Sequence, residues 1–150
     1  MIEIQDLVKS FNSHRVLDEI TLTVDTGETM AVIGRSGCGK SVLLKHIVGL
    51  LKPEAGSVLI DGVDVTELSG ESLDRIRLKC GMLFQSAALF DSMTAEENVG
   101  FSLREHTTMS ESDVRRRVHE CLELVGLEPR VDELYPSELS GGMRKRVGLA

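Results

Sequence analysis

Apolar and polar positions recur with a clear period along much of the chain, and each stretch predicts an element. Ile2–Val8 alternates as a strand, and Ile20-Thr21-Leu22-Thr23-Val24 does so with β-branched residues suited to a pleated surface. Asp25-Thr26-Gly27-Glu28 reads as a turn. Thr29-Met30-Ala31-Val32-Ile33 is an apolar run that predicts a buried strand. Beyond it Val42, Leu43, Leu44, Ile47, Val48 and Leu51 return at helical spacing. Pro53-Glu54-Ala55-Gly56 closes that helix, Ser57-Val58-Leu59-Ile60 makes a strand, and Asp61-Gly62 closes it. Gly81-Met82-Leu83-Phe84 predicts one more short strand, ending at Gln85.

The period then changes. Thr94–Leu103 and Ser110–Val125 read as helices, joined by the polar Glu105-His106-Thr107-Thr108. In the second, Val114, Val118, Leu122 and Val125 share one face, while Arg115-Arg116-Arg117 falls mostly on the other. Ser110 with Asp113 predicts a capping box, and Gly126 a C-terminal stop. A β-rich core over about 1–85 is thus followed by a helical insert over about 86–139, and 139–150 opens a last helix. This order predicts an α/β fold with an antiparallel β flank.

Between the apolar run and the first helix lies Gly34-Arg35-Ser36-Gly37-Cys38-Gly39-Lys40-Ser41, which fills every fixed position of G-x-x-x-x-G-K-[ST]. Glycines at 34, 37 and 39 let the backbone turn tightly and approach a ligand. Its N–H groups then form an anion-binding concavity at the positive end of the following helix. Lys40 is placed to reach terminal phosphates, and the Ser41 hydroxyl to ligate Mg²⁺. The loop Gly34–Ser41 therefore predicts binding of a nucleoside triphosphate. Cys38 reads either as a small filler or as a thiol made reactive by Lys40 and the helix N-terminus.

Composition narrows the class. The chain has 150 residues, 41% of them hydrophobic, enough for one domain with a real core. A net charge of −7 and only 3% aromatics argue against a nucleic-acid partner. Three cysteines without C-x-x-C spacing predict neither a disulfide framework nor a zinc site. No apolar stretch is long enough to span a bilayer.

Leu139-Ser140-Gly141-Gly142-Met143 forms a second glycine site, followed by Arg144-Lys145-Arg146-Val147-Gly148-Leu149-Ala150 as a predicted helix. Alone the tripeptide is weak. Taken with the P-loop and Gln85 between them, the order resembles the ATP-binding cassette ATPases along the whole chain. That resemblance implies a P-loop NTPase core with an inserted helical subdomain. It implies Mg²⁺-dependent ATP hydrolysis and a head-to-tail dimer with a second ATPase subunit. Leu139, Ser140, Gly141, Gly142 and Met143 of one subunit would face the nucleotide on the other's P-loop. Gln85 would sense Mg²⁺ and γ-phosphate, as a catalytic and metal-contacting residue beside Lys40 and Ser41. Phe11 matches the aromatic that stacks on adenine; a strand-edge packing role stays open for it.

The segment Leu83–Thr94, with Glu97-Asn98-Val99 and Leu103-Arg104-Glu105-His106, is similar to the Mla/Mce-type ATPases of bacterial lipid transport. Met143, where glutamine is commoner, fits that branch. The resemblance implies an integral membrane permease and an Mce-type lipid-binding protein as partners, at the cytoplasmic face of an inner membrane. Leu89, Phe90 and Met93 would lie against the permease or pack within the insert. Another cargo, a soluble ATPase acting on nucleic acid or ribosomes, and a nucleotide-binding module without catalysis are the alternatives.

Hydrolysis of a γ-phosphate also needs a Walker-B aspartate and a group to orient water. In the family resembled, both follow the signature helix, as does a histidine. The chain is therefore expected to be the N-terminal part of a longer ATPase, and inactive alone. Asp61 and Asp64 read as a hairpin tip, and His14, His46, His106 and His119 as surface or packing residues.

Overall fold

The computed structural model describes residues 1–150. It contains two compact units, Met1–Met82 and Leu83–Ala150.

The first unit is built on strands β1 (Ile2–Phe11), β2 (His14–Val24), β3 (Ala55–Ile60) and β4 (Val63–Asp64). They form one antiparallel sheet in the order β2-β1-β3-β4. Tight tips close both hairpins. Asn12 and Ser13 (φ 47° and 64°) and Asp61 and Gly62 (φ 49° and 79°) take the paired left-handed conformation that matches strand twist. The β1–β2 pair is not a simple alternation. Its core positions are Ile4 and Leu7 on one strand, and Leu17, Ile20 and Leu22 on the other, so parity changes partway along each. Left-handed residues Asp6 (φ 47°) and Glu19 (φ 50°) make the change, beside a register shift between Ile4 and Leu7. Thr21 fixes the bulge: its hydroxyl accepts from the Asp6 N–H and donates to Asp6 Oδ1, both at 2.9 Å.

Helices α1 (Lys40–Ile47) and α2 (Glu71–Arg77) cover the core face with Leu43 and Ile76, against Val58, Ile60 and Val65. The first ends earlier than the apolar spacing predicted. Gly49 takes φ 65°, and the Arg77 guanidinium donates to the Val48 and Gly49 carbonyls at 3.3 and 2.9 Å. These bonds satisfy backbone acceptors that would otherwise be free, so Leu51 lies outside the helix. Helix α2 was not foreseen, because seven residues with two buried apolar positions give little period to read.

Two expected strands are absent. Thr29–Ile33 and Gly81–Phe84 have no ladder partner and are irregular. The first is also not buried: Ile33 is 93% exposed, with Met30 and Val32 near 40%. An apolar run expresses a preference for a pleated, covered surface, but a strand exists only with a neighbour to complete its hydrogen bonds.

In the second unit, α3 (Ala95–His106), α4 (Glu111–Leu124) and α5 (Gly141–Val147) enclose a core of Ala95, Val114, Val118, Leu122, Leu127, Val131, Leu139 and Val147. Thr94 opens α3 with a reciprocal capping box: its hydroxyl accepts from Glu97 N–H at 3.2 Å, and Glu97 accepts from Thr94 N–H at 2.8 Å. At α4 only half the expected box forms. Ser110 accepts from Asp113 N–H at 3.2 Å, but the Asp113 carboxylate turns to the Ser110 hydroxyl at 2.6 Å. Gly126 (φ 69°) stops α4 as predicted. Arg104 joins the helices, donating to Glu96 at 2.7 Å and Glu111 at 2.8 Å. The Glu111 bond, then Glu96, pushes the guanidinium pKa up, and Arg104 in turn holds Glu111 below the usual carboxylate range.

Candidate functional site

The P-loop joins the exposed run Thr29–Ile33 to α1 and lies entirely in the first unit. Each of its glycines has a different reason to be there. A Cβ on Gly34 would stand 2.6 Å from Cys38 Sγ. Gly37 faces open space but has φ 79°. Gly39 combines both constraints: φ is 99°, and a Cβ would meet the Val16 carbonyl oxygen and Cγ1 at 3.0 Å. The loop thus rests on β2, whose hairpin partner β1 ends at Phe11.

Gly39 is also the N-cap of α1, and no side chain caps that end. First-turn N–H groups are left for a ligand rather than for a capping oxygen. Lys40 folds back across the loop, donating to the carbonyls of Gly34 at 2.8 Å and Arg35 at 2.7 Å, with Cys38 Sγ at 3.7 Å. Its charge therefore sits at the centre of the loop, held by weak neutral acceptors that phosphate oxygens outcompete. Ser41, the next residue, is exposed. As a hydroxyl it is a hard oxygen donor of the kind Mg²⁺ accepts alongside phosphates and water. No cluster of three or more His, Cys, Asp or Glu offers a cage for the ion. The donor set fits a cation carried in with a nucleotide.

Phe11 is 42% exposed, with Lys9 Nζ 5.5 Å from its ring centroid. Of the histidines, His46 is the buried one. Its Nδ1 lies 2.8 Å from the Val42 carbonyl, and Nε2 has no partner.

Gln85 and the second glycine site belong to the other unit. Gln85 is exposed, within a turn closed by a 2.9 Å bond from Ala87 N–H to the Phe84 carbonyl. Ser140 caps α5, accepting from Met143 N–H at 3.2 Å. Leu139 is buried, while Ser140, Gly141 and Gly142 are exposed. A Cβ on Gly142 would meet nothing within 4 Å, and one on Gly141 only an Arg144 side-chain nitrogen at 3.9 Å. The structure also adds positioning groups that sequence reasoning missed. Arg144 donates to the carbonyls of Pro136 and Leu139 and so braces the approach to Ser140. Its place one helical turn after Ser140 was the available signal.

Asn98 performs a similar task for the segment after Gln85. It accepts from Phe90 N–H at 2.7 Å and donates to the carbonyls of Phe90, Met93 and Thr94 at 3.1, 3.1 and 2.9 Å. The segment presents Phe90, 50% exposed, which packs against Phe101 with ring centroids 5.0 Å apart. Leu89 packs against the helical core instead.

A sequence profile described as ABC transporter matches residues 17–150. The chain is 51% identical over 149 residues to the probable ribonucleotide transport ATP-binding protein mkl of Mycobacterium leprae, covering 99% of this chain and 43% of that protein. It is 44% identical over 150 residues to the intermembrane phospholipid transport system ATP-binding protein MlaF of Haemophilus influenzae, covering all of this chain and 56% of that protein. It thus spans about half the length of these curated relatives. The ATP-binding cassette MJ0796, solved as a dimer in a post-hydrolysis state bound to ADP and Pi, superposes with a TM-score of 0.94 at 34% identity. That match covers 99% of this chain and 67% of the solved one. With its P-loop, helical unit and Leu-Ser-Gly-Gly turn all inside the matched span, the chain belongs to the ATP-binding cassette family, as part of an ABC transporter ATPase domain.

Proposed function

We propose that this chain supplies the P-loop part of an ATPase that binds and hydrolyses ATP to drive a transporter, and that the cargo is a phospholipid or related lipid. The observation that carries the nucleotide reading is the Lys40 ammonium held at the centre of the loop, at the uncapped end of α1. Loop N–H groups and Lys40 hold the β- and γ-phosphates and neutralise charge as water attacks the γ-phosphorus. Ser41 and the Gln85 amide oxygen would hold Mg²⁺, which would supply positive charge to the phosphates when bound. Gly34, Arg35, Ser36, Gly37, Cys38 and Gly39 form the cradle, and Phe11 takes the adenine.

A second ATPase subunit completes the site. Ser140, Gly141 and Gly142 face the partner's nucleotide, on a turn seated by buried Leu139 and half-buried Met143. The open space around Gly141 and Gly142 supports this, since nothing in their own unit requires glycine there. Dimerisation of the solved relative with ADP and Pi supports it too.

The lipid reading rests on the Leu83–Thr94 pattern and on the likeness to MlaF. It places the protein on the cytoplasmic face of an inner membrane, with an integral permease against Phe90 and Met93 and an Mce-type lipid-binding protein in the complex. The name of the mkl relative keeps a second reading, transport of another cargo. Equilibrium titration with a fluorescent ATP analogue and Mg²⁺ tests the first layer: saturable binding, weakened about 10- to 100-fold in Lys40→Ala, is expected. The cargo is tested by ATPase rates of the reconstituted complex. Stimulation by phospholipid vesicles supports lipid transport, and stimulation by ribonucleotides alone overturns it.

A further inference from the structure

We propose that Glu54 and Lys9 position the Phe11 ring for a nucleobase, by clamping the end of β1 to the connection that leaves α1. This rests on the reading that Phe11 takes the adenine. Strand β1 outruns its neighbour on one side. Its last pair with β3 is Val8 with Ala55, whereas on the β2 side pairing continues through Ser10 with Arg15 and Phe11 with His14. Lys9, Ser10 and Phe11 therefore form an overhang with no strand along one edge. Side chains take the place of the missing strand. Glu54 accepts the Ser10 N–H on one carboxylate oxygen and the Ser10 hydroxyl on the other, both at 3.0 Å. The Glu54 N–H donates to the Val8 carbonyl at 2.9 Å, and Lys9 Nζ donates to the Lys52 carbonyl at 2.9 Å. The Ser10 N–H, and then its hydroxyl, hold the Glu54 carboxyl below the usual carboxylate range, so at neutral pH the clamp is in its charged, accepting form.

Lys9 and Phe11 are two apart on β1 and share a face. The anchored Lys9 ammonium lies over the ring, 5.5 Å from its centroid, and covers one side of it. The ring keeps 42% of its surface exposed, area on which a base can stack. The connection that holds Lys9 and Ser10 is itself fastened to α1. Leu50 and Leu51 N–H groups donate to the Lys45 carbonyl at 2.8 and 3.2 Å. At the start of the same helix, Gly39 rests against Val16 of β2. The hairpin that carries Phe11 is thus fixed to α1 at both ends of the helix, and the clamp sets where the ring stands relative to the phosphate cradle. The cradle does not depend on the clamp, since Lys40 is held by the Gly34 and Arg35 carbonyls. Loss of the clamp should therefore loosen the base site and spare the phosphate site.

The chain has no tryptophan, so Phe11→Trp places a single indole at the base site. Titrating that variant with ATP and with tripolyphosphate, each with Mg²⁺, separates base contacts from phosphate contacts. ATP should quench the indole and tripolyphosphate should not. Adding Glu54→Ala should remove about half or more of the quenching at saturation and weaken ATP about five-fold or more, the scale of a lost base–aromatic stack. Lys9→Ala should act in the same direction. Tripolyphosphate affinity, followed by calorimetry, should stay within about two-fold in both. Glu54→Gln keeps an acceptor for the Ser10 N–H and a donor for its hydroxyl oxygen, and should recover most of the loss. Unchanged quenching in Glu54→Ala or Lys9→Ala, equal weakening of both ligands, or no recovery in Glu54→Gln overturns the proposal and leaves the adenine reading intact. Quenching that is absent with ATP, or equal with tripolyphosphate, overturns the placement of adenine on Phe11 and the proposal with it.

Discussion

The P-loop and the Ser140 turn look alike in sequence, each a glycine-rich stretch running into a helix, yet their glycines answer to different constraints. In the P-loop the protein itself requires them. Gly39 is pinned between a left-handed backbone and the Val16 carbonyl, and Gly34 leaves room for Cys38. In the Ser140 turn Gly141 and Gly142 have ordinary backbones and open space. The first turn is shaped from within, and the second is left bare toward whatever approaches it. Glycine count alone does not separate a loop built to bind from a surface built to be met.

Substitution at Gly39 tests the contrast most severely. Gly39→Ala should lower unfolding free energy by roughly 2–4 kcal/mol in urea titrations, since strain and a backbone clash combine there. Lys40→Ala should leave stability nearly unchanged and weaken ATP-analogue binding by about 10- to 100-fold, the scale of a charge-assisted hydrogen bond or two. On the other turn, Ser140→Ala should cost about 1 kcal/mol through loss of the α5 cap, measured the same way. Gly142→Ala should change stability by no more than about 0.5 kcal/mol, because the new methyl group meets nothing. If Gly142→Ala destabilised the chain as much as Gly39→Ala, the distinction between the two turns would fail. If it instead weakened ATP-dependent self-association seen by light scattering, the distinction would sharpen.

Much of this was legible in the residues. The P-loop, α4 with its face of Val114, Val118 and Leu122, and the Gly126 stop follow from local chemistry. Strands that need partners were less so. Thr29–Ile33 carries a strand's composition, but the ladder that would define it is not a property of those residues. The parity change at Asp6 and Glu19 was hidden because both are charged residues in a conformation that sequence reading assigns to glycine or asparagine. Ala87 and Ala88, also left-handed with φ 66° and 55°, were hidden more deeply, since alanine signals helix. Arg144 was legible only through its place one turn after Ser140, because its acceptors are backbone carbonyls, which every residue carries alike.

Asn98 shows how little separates a working side chain from a damaging one. Its NH₂ group faces the carbonyls of Phe90, Met93 and Thr94, and its oxygen meets the Phe90 N–H. Hydrolysis of that amide to a carboxylate, the ordinary chemical ageing of asparagine, would change neither size nor shape. It would set a negative oxygen against those carbonyls and turn attraction into repulsion along Phe90–Thr94. The segment that displays Phe90 is therefore held by the identity of one nitrogen atom.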